Sequence, residues 1–162
     1  MKELLIQADM NNLEKIDAMI DRELEGMDLS QEDQIALHIA VEEIYSNIAF
    51  YAYPVPPGTV KVRLEFDAPK REMKIQFLDR GIPYDPLKKA DPDITLPAEE
   101  REIGGLGIYM VKNSMDQVDY RYEDGWNVFT MKKMHGERRG QAGCMRWRTG
   151  AKRQSRRKKA PP

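Results

Sequence analysis

The chain has 162 residues, 41% hydrophobic and 33% charged, enough to bury one ordinary core in a single domain. Its apolar runs are short and the start Met1 to Ile6 lacks the long h-region of a signal peptide, so neither a membrane span nor secretion is expected; the single Cys144 cannot form an internal disulfide, with only His38 and His135 beside it no zinc cluster is expected, and a cytoplasmic home is. The formal net charge of -1 hides an asymmetry, because residues 1–131 carry 14 basic and 26 acidic side chains while residues 132–162 carry 12 basic and one acidic.

Residues 3–8 fit a first strand. Leu13, Ile16, Ile20 and Leu24 then recur at helical spacing, with Asn11 or Asn12 available as N-cap and Gly26 as the stop. A second helix starts at Ser30, with Asp33 where a capping-box acid belongs, and runs through Ile35, Ile39, Ile44 and Ile48 to about Tyr51. Pro54, Pro56, Pro57 and Gly58 end it. Val60, Val62, Leu64 and Phe66 alternate with polar residues, and the alternation resumes at Met73, Ile75 and Phe77, which predicts an antiparallel hairpin with one buried face. From Arg80 to Ile103 no periodicity is visible and four prolines punctuate the chain, a length that reads as a lid. Gly104 to Gly107 opens a helix marked by Ile108, Val111 and Met115, and strands at 117–122 and 126–132 flank an Asp124-Gly125 turn. The expected fold over residues 1–134 is an α/β (α+β) two-layer sandwich, a mostly antiparallel sheet with helices on one face. Residues 135–162, with Gly136, Gly140 and the run Arg156 to Lys159, show no apolar pattern and read as a disordered basic tail.

Three segments carry candidate chemistry. Glu43 and Asn47 are four residues apart and share one helix face, where an amide oxygen suits Mg²⁺ and a carboxylate suits a general base; Glu42 and Glu43 equally fit a solvated helix edge. Asp79, at a strand end before Gly81, can accept the exocyclic amino protons of adenine, although an Asp-x-Gly taken alone is more often a tight turn. Gly104-Gly105-Leu106-Gly107 at a helix start frees backbone N–H groups for phosphate, with Lys112 further along as a cation, or else hinges the preceding loop. No Gly-Lys-Ser/Thr follows, so this is no Walker A loop, and the setting lacks the spaced glycines of a dinucleotide fingerprint.

In their order, Val-Glu-Glu-Ile-Tyr-Ser-Asn, Leu-Asp-Arg-Gly-Ile-Pro-Tyr-Asp-Pro and Ile-Gly-Gly-Leu-Gly-Ile-Tyr-Met-Val-Lys resemble the ATPase domain shared by histidine kinases, gyrase-type ATPases and anti-sigma factor serine kinases of the RsbW type, over about residues 3–133. The last group is the nearest in motif. The resemblance implies a Bergerat ATP-binding fold and a Mg²⁺-ATP-dependent serine/threonine kinase. In it Asn47 ligates Mg²⁺, Glu43 is the catalytic base, Asp79 and Gly81 receive adenine, and Gly105 and Gly107 attend the phosphates beneath a mobile lid. It also implies partners: a sigma factor to sequester, a small antagonist protein to phosphorylate, and often a second copy of the chain. Phe50 and Tyr51 stand where relatives often carry His or a basic residue, and Asn127 stands where a Thr often helps hold the base, with Thr130 nearby. No helical pair with a phosphoacceptor His precedes these motifs and no transducer domain follows, so a stand-alone regulator is expected. Two further readings stay open: a non-catalytic ATP-binding module that sequesters a sigma factor, and a nucleic-acid binder acting through the basic tail.

Overall fold

The computed structural model describes residues 1–27, 29–92 and 105–134. In chain order these form β1 (Lys2–Gln7), α1 (Leu13–Leu24), α2 (Gln31–Asn47), β2 (Thr59–Asp67), β3 (Glu72–Asp79), α3 (Leu106–Ser114), β4 (Gln117–Glu123) and β5 (Trp126–Met134). Gly104, residues 93–103 of the expected lid and the basic stretch 135–162 lie outside the described residues. Among the described residues no helix is long and apolar enough to cross a membrane.

The sheet runs β1-β2-β3-β5-β4 and every pairing is antiparallel, so the expected mostly antiparallel sheet is wholly so. Strand alternation sends one residue in two toward the helices. In register across β2, β3 and β5, that face carries the rows Leu64–Ile75–Met131 and Val62–Phe77–Phe129, all buried. The next row in the same register is Val60–Asp79–Asn127. The inner face thus changes from apolar to polar within one step of the ladder, at the end of the sheet where a cleft opens.

The helices cover that face through the predicted spacing in α1, where Ile16, Ile20 and Leu24 are buried. Asn12 stands at the N-cap of α1 without a side-chain cap, its Oδ1 accepting from Lys15 Nζ and its amide donating to Gln7 O; Asp9 instead accepts from Asn11 N and caps the 3₁₀ turn that leads in. In α2 the buried stripe is Leu37, Ala40, Val41, Ile44, Tyr45 and Ile48, and Ile35 is 53% exposed. The expected stripe through Ile35 and Ile39 is therefore rotated: α2 lies between α1 and α3 and is apolar over a wide arc, so the isoleucines alone do not fix which side faces the sheet. Ser30 caps α2 as expected, its hydroxyl accepting from Asp33 N at 3.1 Å and donating to the Asp33 carboxylate at 2.8 Å.

Two polar anchors tie helices to strands. The Tyr45 hydroxyl, wholly buried, sits among Gln7 O, Asp9 O and Asp9 N at 2.7–3.2 Å and fixes the exit of β1 against α2. Lys133 on β5 is buried as well; its ammonium donates to Ser114 O, at the C-terminus of α3, and pairs with Asp33 in the first turn of α2 at 2.9 Å. The cation meets the negative end of one helix dipole and a carboxylate at the positive end of another.

Candidate nucleotide site

The helix expected to run to Tyr51 changes form at Asn47. From Ile48 to Ala52 the backbone widens into a π turn, a feature that concentrates where helices serve a site. Its last carbonyl, Ala52 O, accepts from Ile82 N at 2.8 Å, and the Tyr53 hydroxyl accepts from Arg80 N at 3.1 Å. The turn leaving β3 is thereby pinned to the end of α2, which sets Asp79 beside Asn47 although 32 positions separate them in the chain.

Gly81 makes that docking possible. A Cβ there would collide with the Ala52 carbonyl and stand 2.7 Å from the Ala52 side chain. The residue does not line the cleft, so its glycine is required by the neighbouring backbone rather than by a base. Its N–H donates to Asp79 Oδ1 at 2.8 Å.

The cleft has a volume of about 800 Å³, in the range of small-molecule sites. Glu43, Asn47, Phe50 and Tyr51 line it from the end of α2 and the turn that follows, Asp79, Asn127 and Phe129 from the sheet, and Gly105, Leu106, Gly107 and Ile108 from the start of α3. Of the sequence-predicted residues, Glu43, Asn47, Asp79, Gly105, Leu106, Gly107 and Asn127 are thus brought together.

Each wall offers a distinct group. The Asn47 amide donates to Glu43 O at 2.6 Å, and among the described residues nothing donates to its Oδ1. Asp79 is only 4% exposed, and Oδ1 accepts from both Gly81 N and Asn127 Nδ2, each at 2.8 Å. Its second oxygen receives no donor among the described residues. Burial pushes the Asp79 carboxyl above its ordinary value, and the bonds from Asn127 and Gly81 N pull the other way. Gly105 adopts φ 99°, the left-handed conformation that caps α3, and the first intrahelical bond runs from Tyr109 N to Gly105 O. The N–H groups of Leu106, Gly107 and Ile108 precede that bond, at the positive end of the helix, and have no acceptor among the described residues. A Cβ on Gly107 would collide with the Glu43 carboxylate, so this glycine admits Glu43 to the start of α3.

Besides Gly81, two predicted residues lie outside the cleft, and a third lines it in another role than expected. Thr130 is three positions from Asn127 on β5, so alternation turns it to the other face of the sheet, where its hydroxyl accepts from Gln76 at 3.0 Å. Lys112 does not line the cleft; its ammonium pairs with Asp91 at 2.7 Å. Asn127 spends its amide on Asp79 and accepts from Tyr120 Oη at 2.6 Å, which makes it the strut behind the carboxylate rather than a free contact for a base.

Sequence reasoning missed Lys89, which lines the cleft beside Gly105, and Tyr84 and Tyr120, which line its rim and floor. A signal for the first existed: Asp85-Pro86 is a helix-start signature, and Asp85 does cap the 3₁₀ turn Pro86–Lys88 by accepting from Leu87 N, which ends the turn at Lys89.

Residues 6–133 match the family model described as the histidine kinase-like ATPase domain. The serine/threonine-protein kinase BtrW of Bordetella bronchiseptica is 26% identical over 98 residues, 60% of this chain and 68% of that one. The serine-protein kinase RsbW of Bacillus thuringiensis is 27% identical over 115 residues, 68% of this chain and 71% of its own. A crystal structure of the RsbU and RsbW domains of a Mycobacterium tuberculosis protein superposes with a TM-score of 0.55 at 16% identity, covering 83% of this chain. This chain spans 33% of that longer one, and the likeness is one of fold.

Proposed function

The chain belongs to the histidine kinase-like ATPase domain family, and from that premise we propose that it is an ATP-dependent serine/threonine protein kinase acting as an anti-sigma regulatory factor. A small antagonist protein would be the phosphoryl acceptor and a sigma factor the protein it sequesters. The relatives named as serine kinases support the activity. The observation that carries the reading is the convergence on one cleft of Glu43 and Asn47 from α2, Asp79 from β3, and the bare amides at the start of α3.

The residues fit an adenine nucleotide with Mg²⁺. Among the described residues no three His, Cys, Asp or Glu gather to hold an ion by themselves, as suits a cation that leans on phosphate and water for most of its ligands. Asn47 Oδ1 is the protein oxygen left for it. When bound, Mg²⁺ would supply charge neutralisation on the transferring phosphoryl group. The free oxygen of Asp79 accepts the adenine amino protons; guanine, which carries an oxygen at that position, cannot donate there. The N–H groups of Leu106, Gly107 and Ile108 face phosphate oxygens. Glu43, held one helical turn before Asn47, accepts the proton of the attacking serine or threonine hydroxyl as its oxygen bonds to the terminal phosphorus and ADP departs.

The test is a Glu43→Ala variant offered labelled ATP and a candidate antagonist domain. The expected result is transfer reduced by at least about a hundredfold, with Mg²⁺-ATP still bound in calorimetry. Undiminished transfer would remove Glu43 from the mechanism. Binding without transfer by the wild-type protein, to any antagonist tried, would favour a nucleotide-gated sequestering module instead.

A further inference from the structure

The wall formed by Phe50 and Tyr51 carries no cation, and Lys112, the basic residue on α3 nearest the glycines in sequence, is turned away into its pair with Asp91. Among the described residues Lys89 is the one cation that lines the cleft. Its Nζ has no ion-pair or hydrogen-bond partner among them. A Cβ on Gly105 would lie 3.2 Å from Lys89 Cε and 3.5 Å from its Nζ, so the side chain lies across the left-handed glycine that precedes the free amides of α3.

The backbone that carries Lys89 is held on α3 by Lys112. The Lys112 ammonium reaches Asp91 Oδ1 at 2.7 Å and Lys89 O at 3.5 Å, so one side chain grips the chain on both sides of Ala90. On the other side the capped turn Pro86–Lys88 fixes the approach. An ammonium so placed, with the start of a helix beside it and the buried Asp79 carboxylate on another element of the same cleft, suits the phosphate end of a nucleotide whose base lies on Asp79.

We infer that Lys89 is the phosphate-binding cation of this cleft, and that Lys112 is a positioning residue that acts through Lys89 rather than on the phosphates. The inference rests on the reading of the cleft as an ATP site. It assigns to the segment after β3 the charge that the end of α2 does not supply.

Calorimetric titration of the full chain with adenosine, Mg²⁺-ADP and Mg²⁺-ATP separates the two ends of the ligand. Lys89→Ala should weaken both nucleotides by about tenfold and leave adenosine unchanged, while Lys89→Arg keeps nucleotide affinity within a few-fold of wild type. Lys112→Gln should show a smaller loss that disappears when it is combined with Lys89→Ala, because the tether has then nothing to hold. Unchanged ATP affinity in Lys89→Ala, or an equal loss for adenosine, would overturn the assignment while leaving the ATP site intact. A full additional loss from Lys112→Gln in the Lys89→Ala background would overturn the positioning role. A wild-type chain that binds neither adenosine nor ATP would overturn the ATP reading and this inference with it.

Discussion

Asp79 is the residue at which stability and recognition pull apart. Burial raises its carboxyl in the folded state, so the folded protein holds that proton more tightly than the unfolded chain. The contribution to stability is then present below the unfolded carboxyl range and lost as pH rises through the raised folded value. Asp79→Asn removes that loss while its Oδ1 still accepts from Gly81 N and Asn127, so the variant should unfold at no lower denaturant concentration than wild type at neutral pH, the difference closing as the solution is acidified. Adenosine affinity should fall by about tenfold or more, because a charged acceptor has been lost. In the wild type, recognition has the opposite pH sense, weakening as the carboxyl takes up its proton. Gly81, which does not line the cleft, and Gly107, which does, form a second contrast. Gly81→Ala drives a methyl into the Ala52 carbonyl, which is backbone and cannot step aside, and should cost about 1–3 kcal/mol in chemical denaturation. Gly107→Ala meets the Glu43 carboxylate, a side chain free to swing, and should cost little stability while displacing the base and slowing transfer.

At the scale of elements, legibility followed periodicity. α1 could be read from Ile16, Ile20 and Leu24, and the β2–β3 hairpin from Val60 to Phe77, because each buries one face against a partner of matching period. The Asp124-Gly125 turn was legible for a local reason: both residues have positive φ, 53° and 78°, which suits the primed turns of tight hairpins. The π turn at Ile48–Ala52 was not, since what shapes it is a carbonyl claimed by Ile82 from another part of the chain. Thr130 was misread because closeness in sequence to Asn127 says nothing unless the strand parity is counted. Lys133 was invisible too; a lysine near a strand end looks solvated until the ends of α2 and α3 are seen to close on it. That buried pair supports a prediction against its neighbour. Lys133→Met should cost about 3 kcal/mol, since it removes a buried ammonium from between the Asp33 carboxylate and the carbonyl at the end of α3. Lys132→Met breaks a pair with Glu72 whose lysine side chain is a quarter exposed, and should cost less than about 1 kcal/mol in the same denaturant titration.

Over the whole molecule the same packing that makes the core also assembles the site, and it does so on an acidic body. Residues 1–131 carry a net charge of -12, and among the described residues the cleft presents two carboxylates, Glu43 and Asp79, against the one ammonium of Lys89. A polyphosphate entering such a field is repelled over roughly the 8 Å Debye length of physiological salt, and one lysine, the cation that the described residues supply to the cleft, offsets only a part of its charge. On the proposed reading the remainder would arrive with the ligand as Mg²⁺, which Asn47 would help to hold. Chelation of divalent cations should therefore weaken ATP by at least about tenfold and leave adenosine unaffected, because on the proposed reading the base end is held by the buried Asp79 carboxylate, braced from behind by Asn127. Hydrogen exchange should report the same division in space. With Mg²⁺-ATP, protection should rise at the end of α2 through Ala52, across 79–82 and at the start of α3, and the outward face of the sheet, with Gln76 and Thr130, should stay unchanged. Equal sensitivity of adenosine and ATP to chelation would mean that the metal supports the fold of the cleft rather than the charge of the nucleotide, and the electrostatic division between its two ends would be lost.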